Sequence, residues 1–226
     1  AGRVIVKEGE NFVTRLVNID RDLVMIPNLA IHMNREVNDG YKYNAQKDML
    51  PIYGDITAKD TFMETVAKAA GVKKEEILGH DLFLYNRQPG TIWGASEEFL
   101  SSGRLDDLQC AFSSLQGFLK GQKKQHISIY CVLDNEEVGS GTKQGAASTF
   151  LYDTLMRINA SLGLTYEDYL VNLAKSFMIS ADNAHAIHPN HTDMADPVNR
   201  PYLNEGIVIK FNANQKYCTD GVSAAM

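Results

Sequence analysis

The chain is short of cysteine, of positive charge and of long apolar runs, and each shortage removes a class of function. Its three cysteines, Cys110, Cys131 and Cys218, are odd in number and widely spaced. They make neither the even framework of a disulfide-stapled secreted domain nor the paired spacing of a zinc knuckle, so a reducing compartment, the cytoplasm, fits them best. Lys and Arg total 22 against 28 Asp and Glu, a net charge of -6. Wrapping nucleic acid takes a basic face, so no nucleic-acid partner is expected. No apolar run approaches the ~18 residues of a bilayer crossing, and no membrane partner is expected either. Ala1 opens the chain without an initiator Met or the basic and apolar regions of a signal peptide. The last residues, Thr219 to Met226, are mostly small and follow a strand-like pattern. Both ends are expected to be cuts through something larger.

What is present is ordinary globular composition: 226 residues, 44% hydrophobic and 22% charged. That excludes a disordered chain, a collagen-like repeat and a coiled-coil rod. The length suits one large domain, or one and a half at ~150 residues each. The first stretch is strand-rich. Residues 3–7 and 14–19 alternate polar and apolar, 51–56 is a strand candidate, and 82–85 is another before the Pro89-Gly90 turn. A helix is predicted from Asp60, with Thr61 and Glu64 spaced as a capping pair and Gly71 ending it. After about Gly94 helices and strands alternate. Helices are predicted over 106–120, 146–163 and 166–174, and strands over 126–133, 176–180 and 206–211. Strands separated by helices imply an α/β layer with crossover connections.

Ligands of open α/β sheets gather beyond the carboxyl ends of the strands. Two predicted strands end in carboxylates, one at Asp134-Asn135-Glu136-Glu137 and one at Asp182. A pair of divalent ions needs bridging and terminal ligands and a base for the shared water. Asp106 between the metals, Glu137 and Asp182 as terminal ligands and Glu136 as base would serve. For the bare glutamate pair an acidic loop on a solvated surface is the preferred explanation, and Asp106 and Asp107 also suit a helix N-terminus, where negative charge is favoured. Spacing alone does not decide. Other residues read plainly. His126 and His80 are structural or solvated, Cys131 belongs to an apolar strand, and Gly139 and Gly141 lack the following Lys of a phosphate loop. His188 and His191 flank Pro189-Asn190 at a spacing that could also bind metal.

Longer segments carry more information. Ser102-Gly103-Arg104-Leu105-Asp106-Asp107-Leu108, Leu133-Asp134-Asn135-Glu136-Glu137-Val138-Gly139-Ser140 and Ser180-Ala181-Asp182-Asn183-Ala184-His185-Ala186-Ile187-His188-Pro189-Asn190 resemble the M18 family of zinc aminopeptidases, the aspartyl aminopeptidases. So do Ile26-Pro27-Asn28-Leu29-Ala30-Ile31-His32 and the tail from Gly206-Ile207-Val208-Ile209-Lys210 to Gln215-Lys216-Tyr217. The five motifs stand in family order over nearly the whole chain.

The resemblance implies an α/β fold, with a strand-rich dimerisation (insert) domain at 1–92 and the central part of a zinc-peptidase domain at 93–226. It implies two divalent ions, zinc, with Asp106 bridging them, Glu137 and Asp182 as ligands and Glu136 as general base. His185 would lie near the catalytic centre. Lys210 and Tyr217 would line the substrate pocket, where Lys210 suits an acidic side chain. His32 would reach the active site of a neighbouring subunit. The partners implied are a peptide substrate and further copies of the chain, as a dimer building a dodecamer. Two histidine ligands of the family, in an upstream HxD segment and a downstream MHS segment, have no counterpart among His32, His80, His126, His185, His188 and His191. Many relatives carry Asn where this chain has Asp107, a departure expected to matter little. The function implied is therefore removal of N-terminal, acidic residues from peptides by the parent protein. The alternative is that these 226 residues alone are a non-catalytic oligomerisation fragment.

Overall fold

The structure is a computed structural model describing residues 1–121, 125–211 and 219–226. The chain divides into two compact units, Ala1–Pro89 and Gly90–Met226. No helix among the described residues is long and apolar enough to cross a membrane.

The first unit is built on a three-stranded antiparallel sheet in the order β2-β1-β3, from β1 (Gly2–Glu8), β2 (Asn11–Val17) and β3 (Ile77–Leu82). Alternation along β1 sends Val4 and Val6 to one face, where both are buried, while Ile5 faces the other. Helix α2 (Phe62–Ala70) closes that face with Val66, and Val17 of β2 completes the cluster. At ~1.5–3 kcal/mol per fully buried aliphatic side chain, these four valines are the main favourable term of a small core. A one-turn helix, α1 (Ala45–Asp48), lies in the long connection between β2 and α2.

Several sequence expectations shift here. Helix α2 ends at Gly71, which takes the left-handed conformation at φ 71° as expected. Thr61, however, caps nothing with its side chain, because its hydroxyl donates to the Ala58 carbonyl at 2.8 Å. The strand expected at 82–85 lies earlier, at Ile77–Leu82, because the ladder runs out where Gly2 pairs Leu82. Residues 51–56 form no strand. Ile52 makes a single bridge to Met25, and Asp55 then caps a 3-10 turn over Ile56–Ala58.

The second unit opens with a hairpin of β4 (Thr91–Trp93) and β5 (Phe99–Ser101), on which Trp93 and Phe99 pack their rings at 4.8 Å. Helices α3 (Leu105–Lys120), α4 (Phe150–Ser161), α5 (Tyr166–Ala174) and the short α6 (Gly221–Ala225) follow. The α4–α5 corner is fixed by buried Asn159, whose amide donates to the carbonyls of Leu164 at 3.2 Å and Thr165 at 2.8 Å. Thr165 and Asp168 then form a reciprocal capping box that starts α5.

The chain is mixed helix and sheet, but the runs 126–133, 176–180 and 206–211 are not strands among the described residues. Their β-branched content satisfies the pattern, yet a strand also needs a hydrogen-bonded neighbour, and no described segment pairs with them. Their apolar side chains stay open to solvent, Ile207 reaching 94% and Ile179 81% exposure.

Candidate metal centre

The start of α3 does not begin as a regular helix. Arg104 takes a left-handed conformation at φ 64°, and Asp106 (φ -86°, ψ 112°) and Asp107 (φ -112°, ψ 24°) precede the true helical run. The Asp106–Asp107 peptide is cis. From this entry both carboxylates meet Asp182, and oxygens of all three lie within 4.8 Å of one another. Asp107 Oδ1 is buried and has no hydrogen-bond partner, while Asp106 and Asp182 are exposed.

One cation sits at the edge of this cluster. Lys210 Nζ donates to Asp182 Oδ2 at 2.9 Å and to the Asn183 carbonyl at 2.8 Å. Asn183 Nδ2 in turn donates to the Leu105 carbonyl at 3.1 Å, and Cys110 Sγ donates to Asn183 Oδ1 at 2.8 Å. Burial pushes the Cys110 thiol up to about 11; the Asp107 carboxylate, within hydrogen-bonding reach of the thiol, and the negative charges of Asp107 and Asp182 add to the rise against partial relief from Lys210. The thiol therefore stays protonated at neutral pH and remains a donor.

Carboxylate oxygens suit a hard or borderline divalent ion, and a buried oxygen without a hydrogen-bond donor is where such an ion meets the least competition. The cluster thus fits a divalent cation. Zinc ordinarily adds a nitrogen or sulfur donor, and no His or Cys joins the carboxylate group among the described residues.

The glutamate pair lies on its own tight loop. Glu136–Val138 is one 3-10 turn between left-handed Asn135 (φ 60°) and Gly139 (φ 99°). Asn135 Nδ2 donates to Thr142 Oγ1 at 2.9 Å, and the Asp134 amide donates to the Gln144 carbonyl at 3.1 Å. Gly145 is required here, since a Cβ would stand 2.2 Å from the Ser140 carbonyl oxygen. Both glutamates are exposed, and Glu137 is not within the carboxylate group that gathers around Asp182.

Of the residues singled out by sequence, the structure brings Asp106, Asp182 and Lys210 together. His185 is exposed on the segment after Asp182. His188 and His191 bring their rings to 4.9 Å, but they join no larger group of potential ligands among the described residues. His32 stands in an exposed turn of the first unit, and Tyr217 lies outside the described residues. Asp107, Cys110 and Asn183 were not anticipated. Two consecutive aspartates at a helix start were a visible signal for the first, but it was equally the signal of a favourable helix terminus.

Comparison with known proteins identifies the family of the chain. A family model described as aminopeptidase I zinc metalloprotease (M18) matches residues 1–226. The chain is 47% identical over 233 residues to the "Probable M18 family aminopeptidase 2" of Clostridium novyi, covering 100% of this chain and 54% of that protein. It is 35% identical to the "Aspartyl aminopeptidase" of Dictyostelium discoideum, covering 98% of this chain and 55% of that one. A solved structure described as the Ape4 and Nbr1 complex superposes with a TM-score of 0.83 at 33% identity, over 99% of this chain and 48% of that chain. The chain spans about half the length of the relatives it matches. It belongs to the aminopeptidase I zinc metalloprotease (M18) family.

Proposed function

We propose that this chain is the central part of a dinuclear-zinc aminopeptidase that removes N-terminal acidic residues from peptides. The observation that carries the reading is the convergence of Asp106 and Asp182, from separate segments, on one group of carboxylate oxygens within 4.8 Å. Asp106, Asp182 and Glu137 would hold the two ions, Asp106 being shared between them, and histidines from elsewhere in the protein would complete the set. Zinc, when bound, supplies Lewis-acid polarisation of the scissile carbonyl. Glu136 takes the proton of the attacking water and hands it to the leaving amine. His185 lies beside this centre.

Lys210 faces the substrate's acidic side chain, and the family resemblance assigns Tyr217 to substrate binding as well. An ammonium has three donors, and the bonds to Asp182 and the Asn183 carbonyl use two. The name of the Dictyostelium relative, an aspartyl aminopeptidase, supports the acidic preference. Residues 1–92 serve as the dimerisation domain and 93–226 as the middle of the peptidase domain. His32 reaches the active site of a neighbouring copy within a dimer, and dimers build a dodecamer. The cytoplasm is the compartment that fits free thiols at Cys110 and Cys131.

A second reading concerns the 226 residues by themselves, which would form an inactive oligomerisation fragment. The exposed apolar runs of the second unit favour it. One experiment addresses both readings. In the whole protein, Glu136→Gln is expected to lower kcat by at least ~10²–10⁴-fold with zinc content unchanged. Glu137→Gln is expected to lose zinc. Zinc analysis after dialysis of the whole protein and of the 226-residue chain should find two ions in the first and fewer in the second. A Glu136→Gln enzyme of normal rate would reverse the two roles, and two tightly held ions in the short chain would remove the fragment reading.

A further inference from the structure

The segment that carries Asp182 belongs to no helix or strand, whereas Asp106 and Asp107 stand at the start of α3. Like charges a few ångströms apart repel, so something must hold a loop carboxylate against two others. Asn183 makes the bonds that could do this. Its Nδ2 donates to the carbonyl of Leu105, the residue just before Asp106, at 3.1 Å. Its Oδ1 accepts from Cys110 Sγ, farther along α3, at 2.8 Å. Its own carbonyl accepts from Lys210 Nζ at 2.8 Å, and the same ammonium grips Asp182 Oδ2 at 2.9 Å. The amide has one workable orientation, because the Leu105 carbonyl can only accept. One half-buried side chain thus links the loop to α3 on both sides of the aspartates, and its backbone links it to the lysine.

We propose that Asn183 is the positioning residue of the metal centre, fixing the separation of Asp182 from Asp106 and Asp107 and thereby setting divalent-cation affinity without touching metal or substrate. The inference rests on reading the carboxylate cluster as a metal centre. Outer partners that orient ligands typically contribute about 10–100-fold to metal affinity. Asn183→Ala removes both side-chain bonds and is expected to show the whole effect. Cys110→Ala leaves the Leu105 bond in place and is expected to show part of it.

The test uses the whole protein stripped of metal. Zinc and cobalt affinities are measured by competition with a chromophoric chelator, beside the visible spectrum of the cobalt form and the melting temperature of the stripped protein. Asn183→Ala is expected to bind both metals about 10–100-fold more weakly, with an altered cobalt spectrum. Cys110→Ala, which removes one of the two side-chain bonds, is expected to weaken binding by about threefold to tenfold, half of that effect in free energy, and it keeps the proposal testable if Asn183→Ala does not fold. Wild-type affinity in both variants, or a lower melting temperature with affinity and spectrum unchanged, would overturn the positioning role. Asp182→Asn serves as the control for the underlying reading. If it binds metal as the wild type does, the metal-centre assignment itself fails, whatever Asn183 does.

Discussion

Replacing Lys210 by Met separates two jobs that one ammonium can do, and their magnitudes differ enough to be read apart. In the structure Lys210 is paired with Asp182 at 2.9 Å, with side-chain exposures of 31% and 58%. Two unit charges at such a distance attract by ~6 kcal/mol at an effective dielectric of about 20. Asp182 is more than half exposed, and solvent and salt reduce the net worth of such a pair to about 1 kcal/mol. Losing it should therefore slow every substrate by a common factor of roughly fivefold, through a less well-held Asp182. A substrate carboxylate buried against the same ammonium is a different case. Removing one partner of a desolvated charge pair costs ~2–5 kcal/mol, or roughly 30-fold to several-thousand-fold. The assay is kcat/KM for Asp, Glu and Ala chromogenic substrates with wild-type and Lys210→Met whole protein. Asp and Glu cleavage should fall at least about 30-fold further than Ala cleavage. Equal losses would refute the specificity role and leave Lys210 as a support for Asp182 alone.

Two further outcomes follow from residues outside that pair. His32→Phe and Glu136→Gln, each nearly inactive in the whole protein, should recover partial activity when coassembled, since some sites would join an intact base to an intact neighbouring His32. Mixed assemblies confirmed by native mass that remain inactive would exclude the shared site. Cys110, held up to about 11 chiefly by burial, should resist iodoacetamide between pH 7 and 9 (roughly two or more units below its titration), gaining reactivity only as the pH approaches that value. Exposed Cys131 should react before Cys110, as followed by peptide mass, and equal labelling of the two at pH 8 would contradict the burial of the Cys110 thiol.

What the sequence made legible was what is encoded locally. Helix α5 lies where the sequence predicted it, and its start is set locally, by the reciprocal caps of Thr165 and Asp168 three residues apart. Strand β1 was readable because the alternation that buries Val4 and Val6 needs only five residues to show itself. The runs at 126–133, 176–180 and 206–211 carry strand chemistry, but a ladder is a relation between distant segments, and periodicity in one segment cannot supply its partner. The site divides the same way. The motifs around Asp106 and Asp182 could be recognised singly, as could the one that carries Glu136 and Glu137, though not the 3-10 turn it forms. That Asp107 would turn inward and leave Oδ1 buried depends on an irregular backbone at the entry to α3, which no spacing announces. Asn183 was hidden for the opposite reason. An amide in a loop is common, and its meaning appears only once Leu105, Cys110 and Lys210 arrive around it.

The single Met25–Ile52 bridge has an evolutionary consequence of its own. It pinches shut a long, mostly exposed excursion that contains His32 and α1, while the sheet that anchors the unit lies outside the pinch. A flexible loop closed at its base can double in length for about 0.6 kcal/mol. Insertions or deletions there leave the β1–β3 ladder and its valine cluster untouched. The length of this excursion can therefore drift independently of the scaffold that carries it, without refolding the domain.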